Sequence, residues 1–276
     1  YLESFTDPNC PDGQKPYLWI LDRKQSPPKK KAPKNVLVKN DFYTIDLPHG
    51  GKDYRIETSL SQLETGFISI LRSKILKYKP IDYEEMVRLS LFFSALFNRT
   101  ISQKEHWERT YEHLATVVEQ MEKGHSIEPK ESKRIRKFIP DSYKDRIVDT
   151  LILQAKIILL KKPTFLISNT DVSFITSDSP FLYMNSEFSR ESFYQAPPIS
   201  KSTNIYIPLT SKIAFFGVGE SDHKNQYLVA QDSWVKSCNH ESANHCNEYI
   251  FSSKEKPDFL LNEDIAKINE EFVNAE

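Results

Sequence analysis

Glycine and cysteine are both scarce in this chain. Only seven of the 276 residues are glycine, against a usual frequency of about 7%, and the sequence contains no glycine-rich phosphate loop or dinucleotide fingerprint. The three cysteines are Cys10, Cys238 and Cys246, and an odd set without repeated spacing is not a disulfide framework. Sparse free thiols suit a reducing compartment, so we expect a soluble, cytoplasmic protein.

Long hydrophobic runs and an excess of one charge are also missing. The most apolar run, residues 147–160, carries Asp149 and Lys156, and a membrane span needs about 18 apolar residues in sequence. We therefore expect no membrane partner. The 37 basic and 38 acidic residues give a net charge of −1, which argues against a protein that coats nucleic acid or an anionic membrane. The sequence starts at Tyr1 without an initiator Met, so we expect that it has been trimmed.

The hydrophobic pattern divides the chain into three parts. Strand-like alternation over the first 45 residues gives way to helical spacing from about residue 57 to residue 162, and strands return after Pro163. We expect N-terminal strands, a central bundle of about four helices, and mostly antiparallel C-terminal strands with two helices, the second over residues 262–273. This segregated order indicates the α+β class. We predict a single domain over residues 1–276, in which the two β parts share one mixed sheet.

Several helix ends can be predicted from local signals. Asp82 and Glu85 have the spacing of a capping box and should begin the second helix. The third helix is predicted over about residues 104–123, before Gly124, and the fourth after Asp141.

Two glutamates of the first predicted helix are the most informative polar residues. Glu57 and Glu64 are seven positions apart, which places them about 20° apart around a helix axis. Both lie at the edge of the apolar stripe that contains Leu60, Phe67 and Leu71. A carboxylate there needs a cation, a donor or a shared proton. The pair is therefore interpreted either as a metal or acid–base site, or as helix-edge side chains that reach water or an arginine.

Arg99 and Asp178 are the next candidates. Arg99 ends the second helix. There it could neutralise the two glutamates, bind an anionic substrate, or simply complement the helix dipole. Asp178 follows a strongly β-like run, and Pro180 stiffens the loop behind it. A rigid loop at a strand end suits a reactive carboxylate, although the same residues also make an ordinary turn.

The chain resembles an uncharacterised bacterial family catalogued as domain of unknown function 4238. The resemblance spans nearly the whole chain, and its most specific parts are the glutamate pair and the strand that ends in Thr-Ser-Asp-x-Pro. This sequence departs from the family pattern in two places. Ile101 stands where the family tends to have proline, and the His-x-x-Pro element usual before Tyr-Leu is missing from the sequence, which starts at Tyr1. The further matching elements are Tyr1-Leu2-x-x-Phe5, the strand over 17–22, Asp41-Phe42-Tyr43, Arg99-Thr100, Pro208-Leu209, Asn239 and the strand over 249–252.

Together these residues suggest a metal-dependent hydrolase that acts on a phosphodiester or nucleic-acid substrate. In this hypothesis Glu57, Glu64 and Asp178 hold a hard cation such as Mg²⁺ or Mn²⁺, Arg99 stabilises charge on phosphate, and Asn239 orients the substrate. The partner would be nucleic acid or a phosphate-containing small molecule. The alternative is a non-catalytic ligand-binding, sensor or interaction module built on the same polar cluster. A weaker idea is nucleic-acid binding through the basic loop at 29–34, which could equally be an ordinary solvated loop.

Overall fold

The computed structural model describes residues 1–11, 13–23, 27–37, 43–46, 49–125, 128, 130–185, 198–219 and 226–259. Side chains are not described at 45, 46, 145 and 185. The helix predicted over residues 262–273 lies outside the described residues. Among the helices that the structure describes, none is both long and apolar enough to cross a membrane.

Four helices occupy the central part of the chain, as predicted. The second begins at the predicted capping box: the Asp82 side chain accepts a hydrogen bond from the Glu85 amide, and the Glu85 side chain accepts one from the Asp82 amide. These two bonds satisfy orphan donors of the first turn. The helices are α1 (Arg55–Ser73), α2 (Tyr83–Asn98), α3 (Ile101–Gly124), α4 (Glu131–Leu159) and, near the C-terminal end of the described chain, α5 (Asp232–His245).

Two of these helices begin earlier than the sequence indicated. Helix α3 starts directly behind α2, because Thr100 caps it by accepting a hydrogen bond from the Gln103 amide. Helix α4 starts ten residues before Asp141 and contains Pro140. Its first turn is stabilised from α3, where the buried Glu122 accepts hydrogen bonds from the amides of Glu131 and Ser132.

The strands form two principal sheets. The N-terminal strands β1 and β2 join the C-terminal strand β11 and the short β6 in one antiparallel sheet of order β2-β1-β11-β6. The two β parts therefore share a sheet, as predicted, but this sheet is antiparallel and is not the only principal sheet among the described residues, because most C-terminal strands pair with one another. A second sheet of order β10-β5-β9-β8-β7 is mixed, since β10 runs parallel to β5 and its other pairs are antiparallel. A further pair, β3 and β4, is separate. The strand bounds are β1 (Leu18–Asp22), β2 (Lys29–Lys31), β3 (Ile45–Asp46), β4 (Lys52–Asp53), β5 (Lys162–Ile167), β6 (Thr176–Ser177), β7 (Leu182–Asn185), β8 (Thr203–Pro208), β9 (Ile213–Val218), β10 (Tyr227–Val229) and β11 (Tyr249–Ser252).

The mixed sheet is covered on both faces. On one face, α1 and α2 pack their apolar stripes against it: Phe67 stacks on Phe92 at 4.1 Å between ring centroids, and Phe93 contacts Phe215 of β9 at 4.8 Å. The other face packs against α5 through a second cluster that includes Val235 and Cys238. The four central helices follow one another in sequence and the strands of the two principal sheets pair almost entirely antiparallel, so the α+β prediction is confirmed.

Candidate functional site

A cavity of about 1000 Å³ opens where the N-terminal segment meets α1, the end of α2 and β6. Four of the five predicted site residues line it, namely Glu57, Glu64, Arg99 and Asp178. Sequence reasoning could place the two glutamates on one helix face but could not show that Arg99 and Asp178 share a cavity with them. The apolar part of the lining includes Leu60, Ile68, Phe92 and Leu96.

The glutamates lie on one wall of this cavity. Both are half-buried, and seven residues of helix separate them by about 10 Å along the axis of α1. Glu57 Oε1 accepts a hydrogen bond from Thr44 Oγ1 at 3.0 Å. Glu64 Oε1 accepts one from the backbone nitrogen of Tyr1 at 2.8 Å, and 39% of its side chain remains exposed. Each carboxylate therefore has a local donor and retains oxygen atoms for a ligand.

Arg99 supplies a cation to the same cavity. It follows α2 directly, and its guanidinium lies 5.8 Å from the centre of the Tyr43 ring, within reach of a cation–π interaction. The Tyr43 hydroxyl donates to the carbonyl of Arg99 at 3.4 Å. Within the described part of the chain, the guanidinium makes no ion pair. Arg99 is exposed and is part of the cavity lining.

Asp178 lines the cavity but uses its carboxylate elsewhere. Its Oδ1 accepts from the Asn247 amide at 2.8 Å, and its Oδ2 accepts from the amides of Glu248 at 2.7 Å and Tyr249 at 3.1 Å. These amides form the turn between α5 and β11. Both oxygens thus anchor this turn to the end of β6, so the structure assigns Asp178 a fixed anchoring contact.

Asn239 does not line the cavity. It is fully buried on α5, where its Oδ1 accepts from the Ile175 amide at 3.0 Å. Its Nδ2 donates to the carbonyls of Ser173 and Asp258, both at 2.8 Å. The predicted role in orienting a substrate does not fit this position, because the side-chain amide is saturated by backbone groups. Asn239 instead holds the segment that leads to Asp178.

The predicted metal ligands do not form a coordination group. Among the residues that the structure describes, no three His, Cys, Asp or Glu side chains are arranged to hold a metal ion. Asp178 directs both oxygens to backbone amides, so it is not free to complete a site with Glu57 and Glu64. Hard divalent cations bind through several oxygen ligands, and this donor set does not fit one.

The cavity also contains residues that sequence reasoning did not propose as site residues. Lys34 adds a second cation to the lining, and Tyr43 supports Arg99. Tyr1 also lines the cavity: its hydroxyl donates to the Pro208 carbonyl at 2.6 Å and lies 2.8 Å from Thr176 Oγ1. Burial raises the pKa of this hydroxyl well above the ordinary tyrosine value. Tyr1, Tyr43 and Thr176 lie in the elements that carry the family resemblance, which was the available signal for them.

Comparison with known proteins gives one match. A family model described as "Protein of unknown function (DUF4238)" matches residues 1–256 of the chain. No curated protein and no solved structure matches the chain.

Proposed function

The chain belongs to the DUF4238 family, which is described as having no known function, and we propose from the cavity itself that it binds a nucleotide there. The observation that carries the proposal is the placement of two carboxylates and a guanidinium on one cavity with an apolar lining. Cavities of 300–1000 Å³ are typical of small-molecule sites.

Each part of a nucleotide has a complementary group in this cavity. A guanidinium binds phosphate oxygens in a bidentate manner, and Arg99 and Lys34 are the cations of the lining. Carboxylates accept hydrogen bonds from the amino groups of bases and from sugar hydroxyls, and Glu57 and Glu64 provide them. The side chains of Leu37, which is exposed, and Ile68, which is half-buried, supply accessible apolar surface for a base.

The charges of the lining favour such a mixed ligand over a simple anion. Besides Asp178, whose oxygens accept from backbone amides, three acidic side chains line the cavity together with two cations. They are Glu3, Glu57 and Glu64, and the cations are Lys34 and Arg99. A bare phosphate would meet this excess of carboxylates without offering them any donor. A nucleotide offers donors to the carboxylates and a phosphate to the cations, so both kinds of group are satisfied.

The test is isothermal titration calorimetry with the four ribonucleoside monophosphates and with inorganic phosphate. At least one nucleotide should bind more tightly than phosphate. Arg99→Gln should weaken its binding tenfold or more, because a hydrogen bond to a charged group contributes about 1.5–3 kcal/mol. Glu57→Gln should also weaken it. The matched controls are Arg88→Gln and Glu105→Gln at exposed positions outside the lining. Absence of binding at millimolar nucleotide, or equal effects of Arg99→Gln and Arg88→Gln, would contradict the proposal.

A phosphodiester hydrolase is the second candidate. The observation in its favour is that the carboxylates share the cavity with an arginine that forms no ion pair within the described residues. A carboxylate can act as general base toward water, and a guanidinium can stabilise charge that develops on phosphate. No step is assigned to a metal, because among the described residues no three His, Cys, Asp or Glu side chains are arranged to hold a metal ion.

Turnover distinguishes the two candidates. Release of p-nitrophenol from bis(p-nitrophenyl) phosphate is measured with Mg²⁺, with Mn²⁺ and with EDTA, for the protein and for the Glu57→Gln, Glu64→Gln double variant. Turnover that the double variant loses and Glu105→Gln keeps would support the hydrolase. Nucleotide binding without turnover under any condition would leave the binding module as the function.

A further inference from the structure

The segment that precedes the cavity has an unusual charge. Residues 23–40 contain seven Lys or Arg and no Asp or Glu, whereas the whole chain has a net charge of −1. Within this segment, Lys29, Lys30 and Lys31 form strand β2 at the edge of the antiparallel sheet, and all three are exposed. Three of these seven basic residues are therefore displayed on an ordered edge strand.

Two aromatic rings of the neighbouring segment fix one of these lysines. Lys30 pairs with Trp19 across the β1–β2 ladder. Its ammonium lies 4.6 Å from the Tyr17 ring centre and 4.7 Å from the Trp19 ring centre, both within cation–π range. The rings are held in turn by Asp7, whose Oδ2 accepts from the Tyr17 hydroxyl and from Trp19 Nε1. The result is a positioned cation beside aromatic surface.

Strand β2 leads directly into the cavity wall. The chain continues from Lys31 into a 3-10 turn over Pro33–Asn35, and Pro33, Lys34, Val36 and Leu37 all line the cavity. Lys29 and Lys34 are five positions apart, so their Cα atoms are at most about 18 Å apart. The β2 lysines therefore lie near the cavity along the chain, with Lys30 on the strand face of Trp19 and with Lys29 and Lys31 on the opposite face of the same edge strand.

We propose that this surface, the β2 lysines with Tyr17 and Trp19, binds the backbone of a single-stranded nucleic acid while one of its nucleotides occupies the cavity. This inference rests on the proposed nucleotide binding and extends it to a polymeric ligand. Single strands are bound by basic surfaces that contain aromatic side chains, and their unpaired bases can enter a side pocket. Charge complementarity favours a polyanion on β2, and the mixed lining of the cavity favours one that carries bases.

Fluorescence anisotropy with labelled 12-nucleotide single strands of RNA and DNA, of one mixed sequence, tests this inference. The strands should bind at least tenfold more tightly than the mononucleotide. The triple variant Lys29→Gln, Lys30→Gln, Lys31→Gln should lose that gain, and the slope of log affinity against log salt should fall by about 2, since each phosphate contact on a single strand contributes about 0.7. Mononucleotide affinity should stay within twofold. The matched control replaces the exposed Lys133, Lys137 and Lys156 of α4 with Gln.

The possible outcomes separate this inference from the proposed function. Loss of mononucleotide binding itself would be a failure of the proposed function. Mononucleotide binding with no gain for either 12-mer, or a triple variant that binds like its control, would overturn the inference. The lysines would then serve only to prevent pairing of an edge strand. If a 12-unit polyphosphate bound as tightly as the 12-mers, the inference would also be overturned, because this surface would then recognise charge without bases.

Discussion

The backbone amide of Asn247 donates to the Asp178 carboxylate at 2.8 Å, across 69 residues of sequence. Together with the amides of Glu248 and Tyr249, this contact ties the turn before β11 to the end of β6. The carboxylate that looked reactive in the sequence is therefore part of the framework of the cavity, and its loss should affect folding before it affects any chemistry.

Asp178→Ala should lower the free energy of unfolding by about 2–4 kcal/mol, because the three amides lose a charged acceptor. Urea unfolding monitored by circular dichroism measures this, with Asp149→Ala as the control, since Asp149 is exposed on α4. If Asp178→Ala were as stable as the control, the anchoring contact would contribute nothing to the free energy of unfolding.

Asn239→Asp should be at least as damaging. The replacement puts a carboxylate oxygen against the carbonyls of Ser173 and Asp258, where Nδ2 now donates to both. Two lost donors and a fully buried charge should cost about 3 kcal/mol or more. Asn244→Asp, at an exposed position of the same helix, should change the unfolding free energy by less than about 1 kcal/mol. A stable Asn239→Asp variant with impaired ligand binding would instead restore the predicted substrate-orienting role.

Local sequence signals predicted the parts of the site that depend on one element. The helical period alone places Glu57 and Glu64 on one face, and the structure puts both on the cavity wall. Asp82 and Glu85 likewise predicted the start of α2 to the residue. These features depend on residues three to seven positions apart, and such spacings are fixed by helix geometry.

The features that could not be predicted depend on distant partners. The role of Asp178 is set by amides about 70 residues later, and that of Asn239 by carbonyls on both sides of it in sequence. The sequence pattern predicts the start of α4 ten residues too late, because the first turn of this helix is stabilised by Glu122 of the preceding helix. The single domain over residues 1–276 stays a prediction.

Glu122 should make the stability of the α4 N-terminus depend on pH in the acidic range. The Ser132 hydroxyl, followed by the backbone amides of Glu131 and Ser132, lowers the pKa of Glu122 below its ordinary value of 4.5. Its folded pKa is below its unfolded pKa, so its contribution is present above pH 4.5 and is lost as the pH falls through the lowered value.

Glu122→Gln should therefore unfold at a lower urea concentration at pH 7, and the difference from the parent protein should shrink between pH 4.5 and pH 3. Glu105→Gln, exposed on the same helix, is the control and should show neither effect. A difference that stayed constant down to pH 3 would mean that the carboxylate charge of Glu122 does not stabilise the α4 terminus.

Cys238 should make the protein less stable in alkali. This thiol is buried between α5 and the mixed sheet, and burial raises its pKa from 9.0 to about 12, with the charge of Glu241 adding to the shift. Between pH 9 and pH 12 the unfolded chain loses the thiol proton while the native chain retains it. The unfolded state is then favoured, by up to about 1.4 kcal/mol for each pH unit.

The measurement is the free energy of unfolding in urea from pH 8 to pH 10.5, for the parent protein and for Cys238→Ala. The variant should be less stable at pH 8, because it leaves a space in the core, but its stability should decline less steeply above pH 9. Cys10→Ala is the control, and its slope should equal that of the parent, because Cys10 lies outside this core cluster. Equal slopes for Cys238→Ala and the parent would show that the Cys238 thiol ionises as readily in the folded protein as in the unfolded chain.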